Sequence, residues 1–243
     1  MELLVEIKNN IMRYLIVVIF IFYSSNVNAS RLEHLYLESE IINNNKERLY
    51  YDPNDIVIGN QDAKVTIVEF FDYNCGYCEL ALDDINALLE QNPNIRVILK
   101  EYPILNDNSY DLSKLSLAAG FQGKYFEFHN KVLLLKGKVT YDDAIKIAEN
   151  LGLNIDRLEE DYNSKQVNDM IANNKVLGYS LAVTGTPAYF IGDIKLEGLV
   201  GLETLQEVIS LIENDIYVED YIIELARGGD SEAYKVMVRY GLF

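Results

Sequence analysis

The chain of 243 residues has no tryptophan, two histidines and two cysteines, and its 21 lysines and arginines are outnumbered by 38 aspartates and glutamates. Each shortage excludes something. Without tryptophan, indole fluorescence cannot report the state of a thiol. Two cysteines rule out a framework of structural disulfides. Zinc takes four ligands, and beyond Cys75 and Cys78 only His34 and His129 could join them, so a redox pair is the better reading and no metal is expected. A formal net charge of −17 gives no positive field for polyanions or anionic lipid, which argues against a nucleic-acid partner. Long apolar runs are missing too. The block from Tyr14 to Tyr23 has half of the roughly 20 residues that a membrane-spanning helix needs.

That block is followed by Val27, Asn28 and Ala29, the small-residue exit of a secretory signal peptide, with cleavage expected after Ala29 to leave a soluble mature protein. The stretch before it carries Glu2 and Glu6 beside Lys8 and Arg13, where such regions are normally acid-poor. Met12 would start a more ordinary signal than Met1. Two acids and two bases cancel in this segment, so the mature part keeps the whole net charge.

A polar segment follows, with a short helix expected around Leu32, Leu35, Ile41 and Ile42. The run Val65 to Phe71 reads as a buried strand. Ala81, Leu82, Ile85, Leu88 and Leu89 share one helical stripe behind it, and Ile95 to Glu101 is a second strand, which completes a βαβ unit. From about Ser109 to Val183 the periodicity is helical, with breaks near Gly120 to Lys124, Gly137 to Thr140 and Gly152 to Asn154, so three or four helices are expected. Ala188 to Ile191, the turn Gly192–Asp193 and Ile194 to Glu197 form a hairpin, and a helix from about Thr204 to Glu213 follows. The order is βαβ, helical block, ββα. Beyond it, the tail from Tyr217 to Phe243 reads as two short helices around Gly228 and Gly229, capped by Asp230 or Ser231.

The two cysteines stand at C-x-x-C spacing where the first strand hands over to its helix. A thiol attacks a disulfide as thiolate, and aligned amides at a helix N-terminus stabilise that charge. Cys75 is therefore the exposed nucleophile. Cys78, one turn on and shielded, resolves the mixed disulfide, with Gly76 and Tyr77 tuning the balance of thiolate and disulfide. Asp72, Glu79 and Asp83 place negative charge nearby, which opposes the thiolate.

The segment from Val65 to Cys78 resembles the active-site strand and turn of bacterial DsbA-like oxidoreductases. Lys100 to Leu105, Gln122 to His129 and Gly185 to Ile191 are further matches, and the likeness spans about Asp55 to Glu213. It departs at Asp83 and Asp84, where relatives often carry a proline, and in the residues after Glu213. The resemblance implies an α/β, thioredoxin-like fold with a helical insertion at about 105–183 between the βαβ and ββα parts. It makes Pro187 the cis-proline, with Thr186 free to pair with a substrate strand, and assigns Glu69 and Lys100 to proton movement for the resolving thiol; a Glu69 facing solvent is the alternative. His129 reads as a core or surface histidine with no tie to the cysteines.

The domains expected are thus a signal peptide at 1–29, an N-terminal segment at 30–54 that is the candidate for oligomerisation, the DsbA-like domain at 55–214 and a helical extension at 215–243. The resemblance also implies an exported, periplasmic protein that forms disulfides in secreted proteins bearing cysteines, needs no cofactor, and is reoxidised by a quinone-linked membrane protein of the DsbB type. An isomerase or reductase kept reduced by a membrane reductant is the alternative direction. A non-catalytic chaperone-like binding module is the alternative class, and the intact C-x-x-C argues against it.

Overall fold

The computed structural model describes residues 29–135 and 139–242. The expected signal sequence up to position 28, the Gly137 side of one expected helix break and the terminal Phe243 lie outside these residues. Among the described residues, no helix is long and apolar enough to cross a membrane.

Among the described residues, five strands form one sheet: β1 (Ile56–Gly59), β2 (Val65–Phe71), β3 (Ile95–Glu101), β4 (Ala188–Ile191) and β5 (Ile194–Glu197), in the order β1-β3-β2-β4-β5. Only β2 and β3 are parallel, and they are joined by helix α3 (Gly76–Gln91), the helix that starts at the cysteines. The apolar runs of β2 and β3 are continuous because both faces of the central strands are covered. Gly192 turns the β4–β5 hairpin at φ 64°, and Ile212 packs where a Cβ would sit.

On one face, Val65, Ile67 and Phe71 pack against Ala81, Leu82, Ile85 and Leu88 of α3 and against α9 (Leu202–Glu213). Burying each of the larger side chains contributes roughly 1.5–3 kcal/mol, so this stripe fixes where α3 begins. The opposite face joins Val68, Phe70, Ile98 and Phe190 to Leu49 and Tyr50 and to Leu177 and Leu181. Leu49 and Tyr50 belong to α2 (Lys46–Tyr50), and Leu177 to α8 (Lys165–Ser180).

Two expectations need correction. The helical block holds five helices rather than three or four: α4 (Asp107–Gly120), α5 (Tyr125–Leu133), α6 (Tyr141–Asn150), α7 (Ile155–Tyr162) and α8. The overlooked break lies at Asn163–Ser164, without glycine or proline, where the Ser164 side chain accepts from Val167 N–H and caps α8. The polar segment before β2 contains a strand, β1, too short and too half-buried to show alternation. It also contains two helices, α1 (Ala29–Asn44) and α2.

Segment 30–54, expected as a separate N-terminal element, packs on the rest of the described chain. Leu32 of α1 packs with Val218, Ile222, Ala233, Val236 and Leu242, which brings α1 against α10 (Val218–Arg227) and α11 (Ser231–Tyr240). Glu33 pairs with Arg239 at 2.6 Å and Ile42 joins the sheet core, so Leu32 and Ile42 are covered by the chain itself while Leu37 and Ile41 stay exposed. Lys195 of β5 contacts Glu38 of α1 at 3.4 Å and donates to the Ala182 carbonyl at 2.9 Å.

Candidate active site

Cys75 is the N-cap residue of α3, in extended conformation at φ −91° and ψ 113°. Its N–H donates to the Asp72 carbonyl at 3.0 Å, and its own carbonyl accepts from Cys78 and Glu79, which begins the helix. The Thr186–Pro187 peptide is cis and faces the pair, and the Thr186 carbonyl oxygen lies 3.1 Å from Cys75 Sγ. Thr186 N–H has no backbone partner among the described residues. Cys75 is less open than expected, retaining 9% of its surface beneath this loop, while Cys78 retains 1%.

Electrostatics separate the two thiols. The Cys75 thiol is held down to about 5, chiefly by a hydrogen bond from Cys78, with help from Thr186 and from the Cys78 and Tyr77 N–H groups, against the opposing effect of burial. The start of the helix thus favours the charged form of the thiol beside it. Cys78 moves far upward because it is buried, because it donates to Cys75, and because Glu69 lies close. The negative residues read from the sequence do not reverse this order. Tyr77 contributes through its N–H, for its ring is 62% exposed, and a Cβ on Gly76 would meet nothing.

Glu69 does not face solvent. It is buried, and burial together with the Cys75 charge raises its carboxyl to about 8, so it is a neutral acid at pH 7. Lys100 is not beside it. The parallel register sets Glu69 against Leu99 and Phe70 against Lys100, so Glu69 points to the cysteine face and Lys100 to the other. There Lys100 Nζ bonds both carboxylate oxygens of Asp55, at 2.6 and 2.7 Å, and the Arg48 carbonyl. The role assigned to Lys100 through its pairing with Glu69 therefore has no geometric basis. On its other side, Glu69 stands opposite Tyr189 of β4.

His129 is a core histidine held neutral, its pKa lowered by burial to about 3. Its Nδ1 lies 3.0 Å from the Tyr73 hydroxyl, which also reaches Ser116 Oγ at 2.6 Å and Glu101 at 3.4 Å. Tyr125 donates to Glu101 at 2.7 Å, and burial raises this second carboxyl to about 8.

The arrangement is a strand-to-helix turn carrying one stabilised thiolate and one protonated thiol under a cis-proline loop, beside a buried neutral acid. Residues 66–210 match the family described as the DSBA-like thioredoxin domain. The chain belongs to this family. The DsbA-like domain superposes on a thioredoxin-like oxidoreductase from Silicibacter pomeroyi with a TM-score of 0.68 and 35% identity, over 70% of this chain and 98% of that one. It matches a thiol-disulfide exchange protein, alpha-DsbA2 from Wolbachia pipientis, with a TM-score of 0.69 and 30% identity, over 73% and 96%. A curated relative, Na(+)/H(+) antiporter NhaA 1 of Salinispora arenicola, is 32% identical over 163 residues, which are 65% of this chain and 25% of that protein. The chain thus spans about a quarter of the length of the antiporters it matches.

Two buried acids outside the reacting pair carry no sign of their burial in the sequence. Asp72, read only as nearby charge, is fully buried and binds three backbone N–H groups. Glu101 passed as the end of a strand. The available signal for Asp72 was its position between the strand and the cysteine turn, the usual place for an Asx turn.

Proposed function

We propose that the chain is an exported thiol:disulfide oxidoreductase that forms disulfides in secreted proteins through Cys75 and Cys78. The observation that carries this reading is the asymmetry of the pair: Cys75 held down to about 5 and Cys78 pushed far up. A stabilised thiolate favours the reduced pair, and a pair that favours reduction is a strong oxidant of others, by about 1.4 kcal/mol for every 30 mV.

In the oxidising turnover, a substrate thiolate attacks Cys75 Sγ of the disulfide and the Cys75–Cys78 bond breaks. Cys78 leaves as thiolate and takes a proton, for which Glu69 is the buried donor. A second substrate thiolate then attacks the substrate sulfur of the mixed disulfide and expels Cys75 as its stabilised thiolate. The substrate has lost two electrons and its thiol protons, and the pair has gained the electrons. Thr186 and Pro187 form the edge against which an extended substrate segment lies during this exchange. Electrons then pass to a membrane oxidant, of the quinone-linked kind that the family resemblance implies. Export to the periplasm accords with this chemistry, because disulfides persist in oxidising compartments.

Trapping thiols in intact cells with a mass-adding alkylating reagent tests the direction. The pair is expected mainly as disulfide. A mainly dithiol pair would overturn the oxidase in favour of a reductase or isomerase. Cys75→Ser is expected to abolish exchange altogether, and residual exchange would show that the nucleophile has been misassigned.

A further inference from the structure

Asp72 ends the strand that leads into the cysteine turn, and its side chain is fully buried without an ion pair among the described residues. One carboxylate oxygen accepts the N–H of Asn74 at 2.8 Å; the other accepts the N–H groups of Ile104 and Leu105 at 2.9 and 3.0 Å. The same residue's carbonyl holds Cys75 N–H. Asn74 adds a parallel tie by donating to Ser109 Oγ at 3.0 Å. Two segments 30 residues apart are thereby clamped on one carboxylate, the turn that carries Cys75 and the loop after β3.

That loop has an odd composition for its position. Ile104 is 39% and Leu105 is 52% exposed, so two large apolar side chains stand on the surface where burial does not hold them. The anchor is instead the backbone, through charge-assisted bonds to a buried acceptor, which are about twice as strong as neutral ones. We propose that Asp72 is a positioning residue for polypeptide substrates: it fixes the Ile104–Leu105 strip relative to Cys75, so that apolar residues flanking a substrate cysteine dock on the strip while the sulfur meets Cys75. This rests on the disulfide exchange proposed above. A small dithiol has only its sulfur to offer and does not need the strip.

The test compares two reductants of the oxidised full chain, dithiothreitol and a reduced, unfolded ribonuclease. Asp72→Asn keeps the shape but turns one acceptor into a donor facing an N–H group. The rate with the polypeptide is expected to fall about tenfold and that with dithiothreitol to change by less than about twofold, with the polypeptide loss carried in KM. Ile104→Ser with Leu105→Ser, which leaves the clamp intact, is expected to give the same selective loss, and adding Asp72→Asn to that pair is expected to lower the rate little further. Equal losses with both reductants, or none with either, would overturn the inference. Should Asp72→Asn not fold, amide exchange on the unaltered chain decides: Ile104 and Leu105 protected like Asn74 support the clamp, and exchange at free-loop rates dismisses it. An unaltered chain that oxidises neither reductant would instead sink the disulfide reading itself.

Discussion

Glu69 and Lys100 lie on neighbouring strands, both buried, one residue out of register and therefore on opposite faces of the sheet. The two faces handle a buried ionisable group differently. On the face away from the cysteines, Lys100 is matched by both oxygens of Asp55 and by a backbone carbonyl, and Asp55 is raised only to about 6 because Lys100 opposes the effect of burial. On the cysteine face, Glu69 has no cation partner among the described residues, and burial with the Cys75 charge raises its carboxyl to about 8. A matched pair fixes structure; an unmatched acid poised near neutrality can give up a proton. The reactive face is thus the one left electrically incomplete.

The largest way to break this contrast is Lys100→Met. It strands a buried Asp55, and unfolding in urea is expected to show a loss of about 3 kcal/mol or more, while the alkylation midpoint of Cys75 stays near pH 5. A change in that midpoint would show that the faces are coupled.

Stability against pH sharpens it next. Glu69 binds its proton more tightly folded, at about 8, than at its ordinary 4.5, so its contribution is full below about pH 4.5 and is lost as pH rises through 8. In the oxidised protein, Glu69→Gln is expected to flatten the fall between pH 5 and 8 by an amount on the order of 2 kcal/mol. Glu101 has the same sign and leaves a residual slope. The reduced protein adds the reverse term: Cys75, lowered from 9.0 to about 5, contributes stability that is full above about pH 9 and is lost as pH falls through 5.

A smaller effect is kinetic. As donor to the leaving Cys78 thiolate, Glu69 speeds the first attack, so Glu69→Gln is expected to slow reduction of the disulfide by a small dithiol about tenfold at pH 7. Smallest of all, the Cys75 midpoint should hardly move in that variant, because Glu69 is already neutral near pH 5. A large shift there would mean that Glu69 is ionised at acid pH and is not the proton donor to Cys78.

Much of the frame was legible in the sequence because the elements that build it are strongly patterned. Val65 to Phe71 and Ile95 to Glu101 are unbroken apolar runs, and the stripe from Ala81 to Leu88 repeats at helical spacing. Cys75, Cys78, Thr186 and Pro187 were placed by motif, and the structure brings them together. Register was not legible. Whether position 69 faces 99 or 100 is a one-residue matter, and it reverses which face Lys100 joins. Equally hidden were β1, whose three half-buried residues and exposed Gly59 give no alternation, and the break at Ser164, made by a side-chain cap in place of glycine. Asp72 and Glu101 escaped because charge in a sequence reads as surface until burial shows otherwise.

The packing of α1 against α10 and α11 has a consequence in time. Leu32 finds its cover in Val218, Ile222, Ala233, Val236 and Leu242, residues made some two hundred positions later. Closing so long a loop is slow, and a helix whose apolar residues lack their cover remains open to other chains while it waits. The helices α10 and α11 therefore act as a latch on α1, and the interval before they are synthesised is the period in which this part of the chain most needs to be kept apart from its neighbours.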